Sequence, residues 1–142
     1  MGGGDDPASI RSLAVSSEDV VNAFVYGREN PGTAVLRVTP PFHGRMRARL
    51  HVYHVDDTPE TGAVHVPPAE LLDEGVVDTY PTLEAVEADL ATDGSNPAPE
   101  RVREAHGDAL ETWRERALES IVDAVVLETA DGKRRVTVKT LG

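Results

Sequence analysis

Arginine side chains recur at every second position from residue 45, which is the spacing of one face of a β-strand. Arg45, Arg47 and Arg49 begin this row, and His51 and Tyr53 continue it. In a strand all five side chains point to the same side, about 6.6 Å apart. Guanidinium groups in such a row can bind phosphates or carboxylates, and His51 and Tyr53 could stack on bases. The spacing therefore predicts a face that binds an anionic partner.

Charge is segregated along the chain. Residues 30–55 contain four arginines and no acid, whereas residues 56–100 contain twelve acids and neither Lys nor Arg. Segregation of this kind is typical of a surface that meets an oppositely charged one. We expect Arg37, on the preceding strand, to extend the row. If the C-terminal strands share its sheet, further bases would join it: Lys133, Arg134, Arg135 and Lys139.

The identity of the anionic partner stays open at this level. It could be nucleic acid, an acidic protein, a second copy of the chain, or the acidic stretch 56–100 folding back within the molecule. Residues 44–49 lack the aromatic signature of sheet faces that bind RNA. High salt also weakens phosphate binding steeply. Both arguments favour a protein or intramolecular partner over nucleic acid.

A cluster of histidines is the other set of residues with chemical potential. His43, His51, His54 and His65 fall close together, near Asp56 and Asp57. Imidazole and carboxylate can ligate zinc, nickel or iron. However, His51 and His54 are three apart and point to opposite faces of a strand. We therefore predict no metal, no other cofactor and no catalytic residue. A small metal-dependent enzyme using His51, His54 and Asp56 is the weakest hypothesis.

Composition indicates where the chain works. It has 142 residues, a formal net charge of -11 and no cysteine, and twelve of its fourteen basic residues are arginines. Many acids with few lysines resemble the proteins of salt-accumulating halophiles, whose surface carboxylates hold water and cations in molar salt. No signal peptide and no apolar run of about 18 residues is present. We predict a halophilic, cytoplasmic protein that does not contact membranes.

The elements follow from hydrophobic periodicity and from turn residues. We expect residues 1–9 to be a disordered tail and residues 10–142 to form one domain. Along it we predict a short strand at 10–15, a helix capped by Ser16 or Ser17, strands at 33–39 and 45–55, helices at 69–74, 82–90 and 100–120, and a hairpin centred on Asp131 and Gly132.

Alternation predicts which side of each strand is buried. Met46, Ala48, Leu50 and Val52 should face inward, opposite the arginines. In the C-terminal hairpin, the turn predicts Leu127 opposite Val136, and Val125 opposite Val138.

Two hairpins separated by helices predict an α+β fold, with a mostly antiparallel sheet of four to five strands and helices packed on one face. The arginines would lie on the other, open face. The sequence thus predicts a non-enzymatic binding module that uses Arg37, Arg45, Arg47, Arg49, His51 and Tyr53. The alternative is a structural protein that self-associates through the same face.

Overall fold

The computed structural model describes residues 6–53, 62–92, 94, 96–129 and 132–141. Within these ranges the chain forms seven strands and four α-helices. In chain order they are β1 (Ser12–Ser16), α1 (Ser17–Glu29), β2 (Thr33–Val38), β3 (Arg45–Arg47), β4 (Arg49–Tyr53), β5 (Val64–Val66), α2 (Glu74–Asp78), α3 (Leu83–Leu90), α4 (Pro99–Leu118), β6 (Ala124–Thr129) and β7 (Gly132–Leu141). Single 3-10 turns occupy Pro7–Ser9, in the predicted tail, and Pro68–Leu71.

The strands form two sheets. Sheet A has the order β3-β1-β7-β6, with β1 parallel to both of its neighbours and β6 antiparallel to β7. Sheet B has the order β4-β2-β5 and is antiparallel. The α+β class is confirmed, but the predicted single, mostly antiparallel sheet of four to five strands is wrong. Strand β1 inserts between the two predicted hairpins, and alternation along a strand does not encode which partner it takes or in which direction.

The predicted strand 45–55 divides between the two sheets at Ala48. This side chain is fully buried, and the Ala48 amide donates to the carbonyl oxygen of Ala14 at 3.0 Å. The predicted alternation survives the bend, because Met46, Leu50 and Val52 still pack against the core. A methyl group lets the backbones approach closely where the strand changes sheets. The arginines consequently stay on the outside of both sheets.

Helix α1 packs against β2 and β4 and completes the core. It buries Val20, Val21, Ala23 and Phe24 in one cluster with the inward side chains of both sheets. Ser16 caps the helix as predicted, since its hydroxyl accepts from the Asp19 amide at 3.3 Å. None of the helices in the described ranges combines the length and hydropathy that a membrane span needs.

One helix prediction needs correction, while α3 and α4 lie close to their predicted bounds. The predicted helix 69–74 is instead a 3-10 turn followed by α2. Gly75 does not end a helix but lies in the first turn of α2, where its amide donates to the Asp73 carboxylate at 2.9 Å. Leu83, the first residue of α3, is 46% exposed. Helix α4 continues through Gly107.

The register of the C-terminal hairpin differs from the prediction by two residues. Val125 lies opposite Val136, Leu127 opposite Arg134, and Thr129 opposite Gly132. The two residues between that last pair lie outside the described ranges. A shift of two keeps every side chain on its predicted face, so Val125, Leu127, Val136 and Val138 are buried as expected.

Candidate anion-binding face

Strand β3 places two arginines on the outer face of sheet A. Arg45 is the lateral neighbour of Ser12, and Arg47 that of Ala14. The alternate residues of β3 and β1, Met46 and Leu13, are neighbours on the core side. Because laterally paired residues share a face, both guanidinium groups point away from the core, and both residues are exposed.

Strand β7 adds three bases to this face. Lys139 is paired with Ala14, so Arg47 and Lys139 stand on either side of a small residue in the central strand. The strands that carry them are about 10 Å apart, which is two strand spacings. Arg135 and Lys133 follow at alternate positions of β7, beside Val126 and Glu128 of β6. We call this set the basic face of sheet A: Arg45, Arg47, Lys133, Arg135 and Lys139.

Arg134 was predicted to join the row but does not. It pairs laterally with Leu127, which is buried, and therefore lies on the core side of β7. Its Nε atom donates to the carbonyl oxygen of Ile10 at 2.7 Å. Arg134 thus fastens the segment before β1 to β7 and is a structural residue.

The remaining predicted residues lie on the outer face of sheet B. Arg49 is directly opposite Arg37, and His65 pairs with Arg37 on its other side. Arg37 donates from one terminal nitrogen to His51 Nε2 at 3.3 Å. A guanidinium can only donate, so His51 accepts at Nε2. Tyr53 ends β4, and its side chain lies outside the described part.

The two faces adjoin at the corner formed by Ala48, because Arg47 and Arg49 flank that residue. Sequence reasoning therefore identified a real row of outward arginines but assigned it to one flat sheet. The row instead turns from sheet A to sheet B. Its neighbours Lys139 and Arg135 were expected only on condition that the C-terminal strands shared the sheet, a condition that β1 meets by bridging β3 and β7.

Acidic residues of the described segments leave these bases unneutralised. Within those segments, no carboxylate forms an ion pair with Arg45, Arg47, Arg49 or Lys139. The acids of residues 70–89 therefore form no ion pair with these four bases, although Glu70 and Glu74 line a cavity with Arg135. The acids at positions 56, 57, 60 and 93, which the intramolecular hypothesis also invoked, lie outside the described residues.

The basic face of sheet A is also partly apolar. Val126 is 39% exposed beside Arg135, and Leu141 is 42% exposed two positions beyond Lys139. The central strand contributes only small side chains to this face, at Ser12, Ala14 and Ser16. The surface therefore has small side chains along its central strand and cationic side chains on both sides, and its two exposed apolar residues lie at opposite ends, Val126 beside Arg135 and Leu141 beyond Lys139. Such a surface can donate hydrogen bonds to carboxylates and bury apolar groups beside them.

A polar cluster that the sequence did not predict lies at the end of α1. The Arg28 guanidinium stands 4.8 Å from the Phe24 ring centroid and 5.4 Å from that of Tyr80. The Tyr80 hydroxyl donates to the Glu29 carboxylate at 2.5 Å, and burial together with this bond raises the pKa of Tyr80. His106 lies 4.0 Å from the same carboxylate.

This cluster joins α1 to the segment before α3 and to α4. It borders an open cavity of about 240 Å³. Tyr80 is 51 positions from Glu29 in sequence, and a local sequence pattern cannot predict a contact between residues so far apart. A neutral phenol held by a carboxylate is a hydrogen-bond tether between the elements.

No metal site is evident in the described segments. No group of three or more His, Asp or Glu residues there is arranged to hold an ion. His43 is exposed, and its amide donates to the Met46 sulfur at 3.2 Å. His54 and Asp56, two of the three residues of the metal-enzyme hypothesis, lie outside the described ranges.

The fold and this face define an α+β protein with a cationic outer surface on its larger sheet. The chain belongs to the family described as "Domain of unknown function (DUF8009)", whose model matches residues 1–142. Neither a curated protein nor a solved structure matches the chain. Its function must therefore be argued from its surfaces.

Proposed function

We propose that this chain is a binding module that contacts an acidic protein surface through the basic face of sheet A and the adjoining Arg49. One observation carries the proposal: Arg45, Arg47, Arg49 and Lys139 are exposed, and no described acid pairs with them. Because the chain has a net charge of -11, most of its surface repels acidic partners, whereas this cationic face attracts them. It therefore selects which side of the molecule they approach.

An acidic protein fits this surface better than nucleic acid does. Single-stranded nucleic acid is held by aromatic side chains on which bases stack. The outer face of sheet A presents no aromatic residue in its described strands. It presents the exposed apolar residues Val126 and Leu141 instead. Apolar groups beside arginine are typical of protein interfaces, where Arg forms bidentate bonds to carboxylates.

Binding to an acidic peptide tests the proposal. A Glu-rich peptide of about 20 residues and a single-stranded DNA and RNA pool would be titrated against the wild type, Arg47→Glu and Arg101→Glu. Arg101 is exposed on α4, away from both sheets, and its reversal changes the net charge equally. We expect the peptide to bind the wild type and Arg101→Glu alike, and Arg47→Glu about tenfold more weakly, a loss of about 1.4 kcal/mol.

The nucleic-acid pool and the control variant supply the contrary outcomes. The titration would be repeated in KCl from about 0.1 to 1 M, over which the screening length falls from about 10 to 3 Å. Binding of the nucleic-acid pool with no binding of the peptide would overturn the choice of partner. An equal loss in Arg101→Glu would show that net charge, and not this face, governs the binding.

A further inference from the structure

Helix α3 carries the opposite charge pattern to the basic face of sheet A. Residues 70–89 contain seven acids and no base, and all seven are exposed. Two of them, Glu70 and Glu74, line a cavity together with Arg135 of the same chain. Three further acids of the segment, Glu84, Glu87 and Asp89, lie in α3.

The apolar residues match in the same way as the charges. Three large apolar side chains are exposed in the described part of the chain: Leu83, Val126 and Leu141. Leu83 begins α3, beside Glu84, while Val126 and Leu141 lie on the basic face of sheet A. Acids predominate beside Leu83 in α3, although Arg28 and Arg103 line the cavities that it borders. Bases predominate beside Val126 and Leu141, although Glu128 lies on the same outer face.

The dimensions of the two surfaces are also compatible. Eight residues make α3 about 12 Å long. The four strands of sheet A span about 14 Å from the first axis to the last. Glu84 and Glu87 are three residues apart, a rise of about 4.5 Å on one side of the helix, compared with about 6.6 Å between Arg45 and Arg47.

We propose that α3 of a second copy of this chain docks on the basic face of sheet A. The inference rests on the proposed function and specifies its acidic partner. The two surfaces are different parts of one chain, so the contact is head-to-tail and leaves a free surface of each kind at the ends. Such contacts grow into chains or close into rings. A helix of eight residues covers much less than the roughly 800 Å² per partner of a standard interface, so we expect the association to be weak and reversible.

Complementary variants test this arrangement by sedimentation velocity. One variant carries Arg47→Glu with Lys139→Glu, and the other carries Glu84→Lys with Glu87→Lys. The wild type should grow beyond a dimer as its concentration rises. Each variant alone should associate at least about tenfold more weakly, and an equal mixture should again grow beyond a dimer, because the two reversed surfaces complement each other as the native ones do. The control variant Glu111→Lys, which changes an exposed residue of α4, should behave like the wild type.

Failure of this inference is distinguishable from failure of the proposed function. A wild type that stays monomeric, or a mixture that does not associate again, overturns docking between copies. If the Glu-rich peptide still binds the Glu84→Lys, Glu87→Lys variant but not the Arg47→Glu, Lys139→Glu variant, the binding face stands and only its partner is different. Tryptophan fluorescence from buried Trp113 confirms that every variant is folded.

Discussion

Replacing Arg49 by glutamate should stabilise the fold while it weakens binding of an acidic partner. Arg49 and Arg37 are directly opposite on neighbouring antiparallel strands. Like charges in that position are destabilising, and opposite charges contribute roughly 0.2–1 kcal/mol. A surface selected only for stability would avoid this pair. A surface selected for binding anions would retain it at some cost.

The magnitude follows from the pairing. Two charges about 6 Å apart interact by roughly 0.7 kcal/mol in water. Reversing one of them removes that repulsion and adds a comparable attraction, so we expect a gain of about 1 kcal/mol after screening by salt. Arg47→Glu is the matched control, because it changes net charge equally while its lateral neighbour on β1 is the uncharged Ala14. The difference between the two variants isolates the local pair.

Urea and thermal unfolding provide the assay. Trp113, which is the one tryptophan of the chain and is 3% exposed, reports on loss of the core. Relative to Arg47→Glu, we expect Arg49→Glu to melt about 3 °C higher for a chain of this size. Both variants should lose affinity for the Glu-rich peptide. Equal or lower stability of Arg49→Glu would refute the argument that the arginine pair is costly.

Three further predictions concern the interior. The folded state raises the pKa of Tyr80 above its value in the unfolded chain, so the stabilising contribution of the neutral phenol is complete below about pH 10 and is lost as pH rises further. The free energy of unfolding, measured against pH, should show this loss, and Tyr80→Phe should remove the pH dependence. Ala48→Leu should cost about 1–3 kcal/mol in urea unfolding by overpacking the corner, and a neutral result would contradict the assigned bend. Trp113→Phe should cost about 2 kcal/mol by circular dichroism, since the indole bond of 2.8 Å to the Val76 carbonyl is lost; an unchanged midpoint would show that the bond is immaterial.

Local chemistry predicted the elements that depend on near neighbours. Ser16 caps the helix that follows it, as its side chain and the acids after it indicate. The burial of alternate residues across the bend at Ala48 was also predictable, because the period of two holds on both sides of it. The division between sheets was not, because it depends on β1, which lies more than thirty positions earlier.

In the candidate site, too, features set by neighbouring residues were predictable, and features set by distant residues were not. The outward row of Arg45, Arg47 and Arg49 was visible in the spacing of the residues. Its extension by Lys139 depends on the parallel pairing of β1 with β7, which joins the two ends of the chain. The exclusion of Arg134 follows from alternation along β7, which places it on the core side with the buried Val136 and Val138. Charge pattern alone carries neither fact.

Mapping the bound face directly is the most decisive measurement. Backbone amide resonances of the isotope-labelled chain would be followed while the Glu-rich peptide is added in KCl. The proposal predicts that the perturbed amides concentrate in β3, β1 and β7, around Arg47 and Lys139, and extend across Ala48 to Arg49. Perturbation concentrated in α3 and α4, or none at peptide excess, would contradict the claim that the outer face of the sheets is the binding surface.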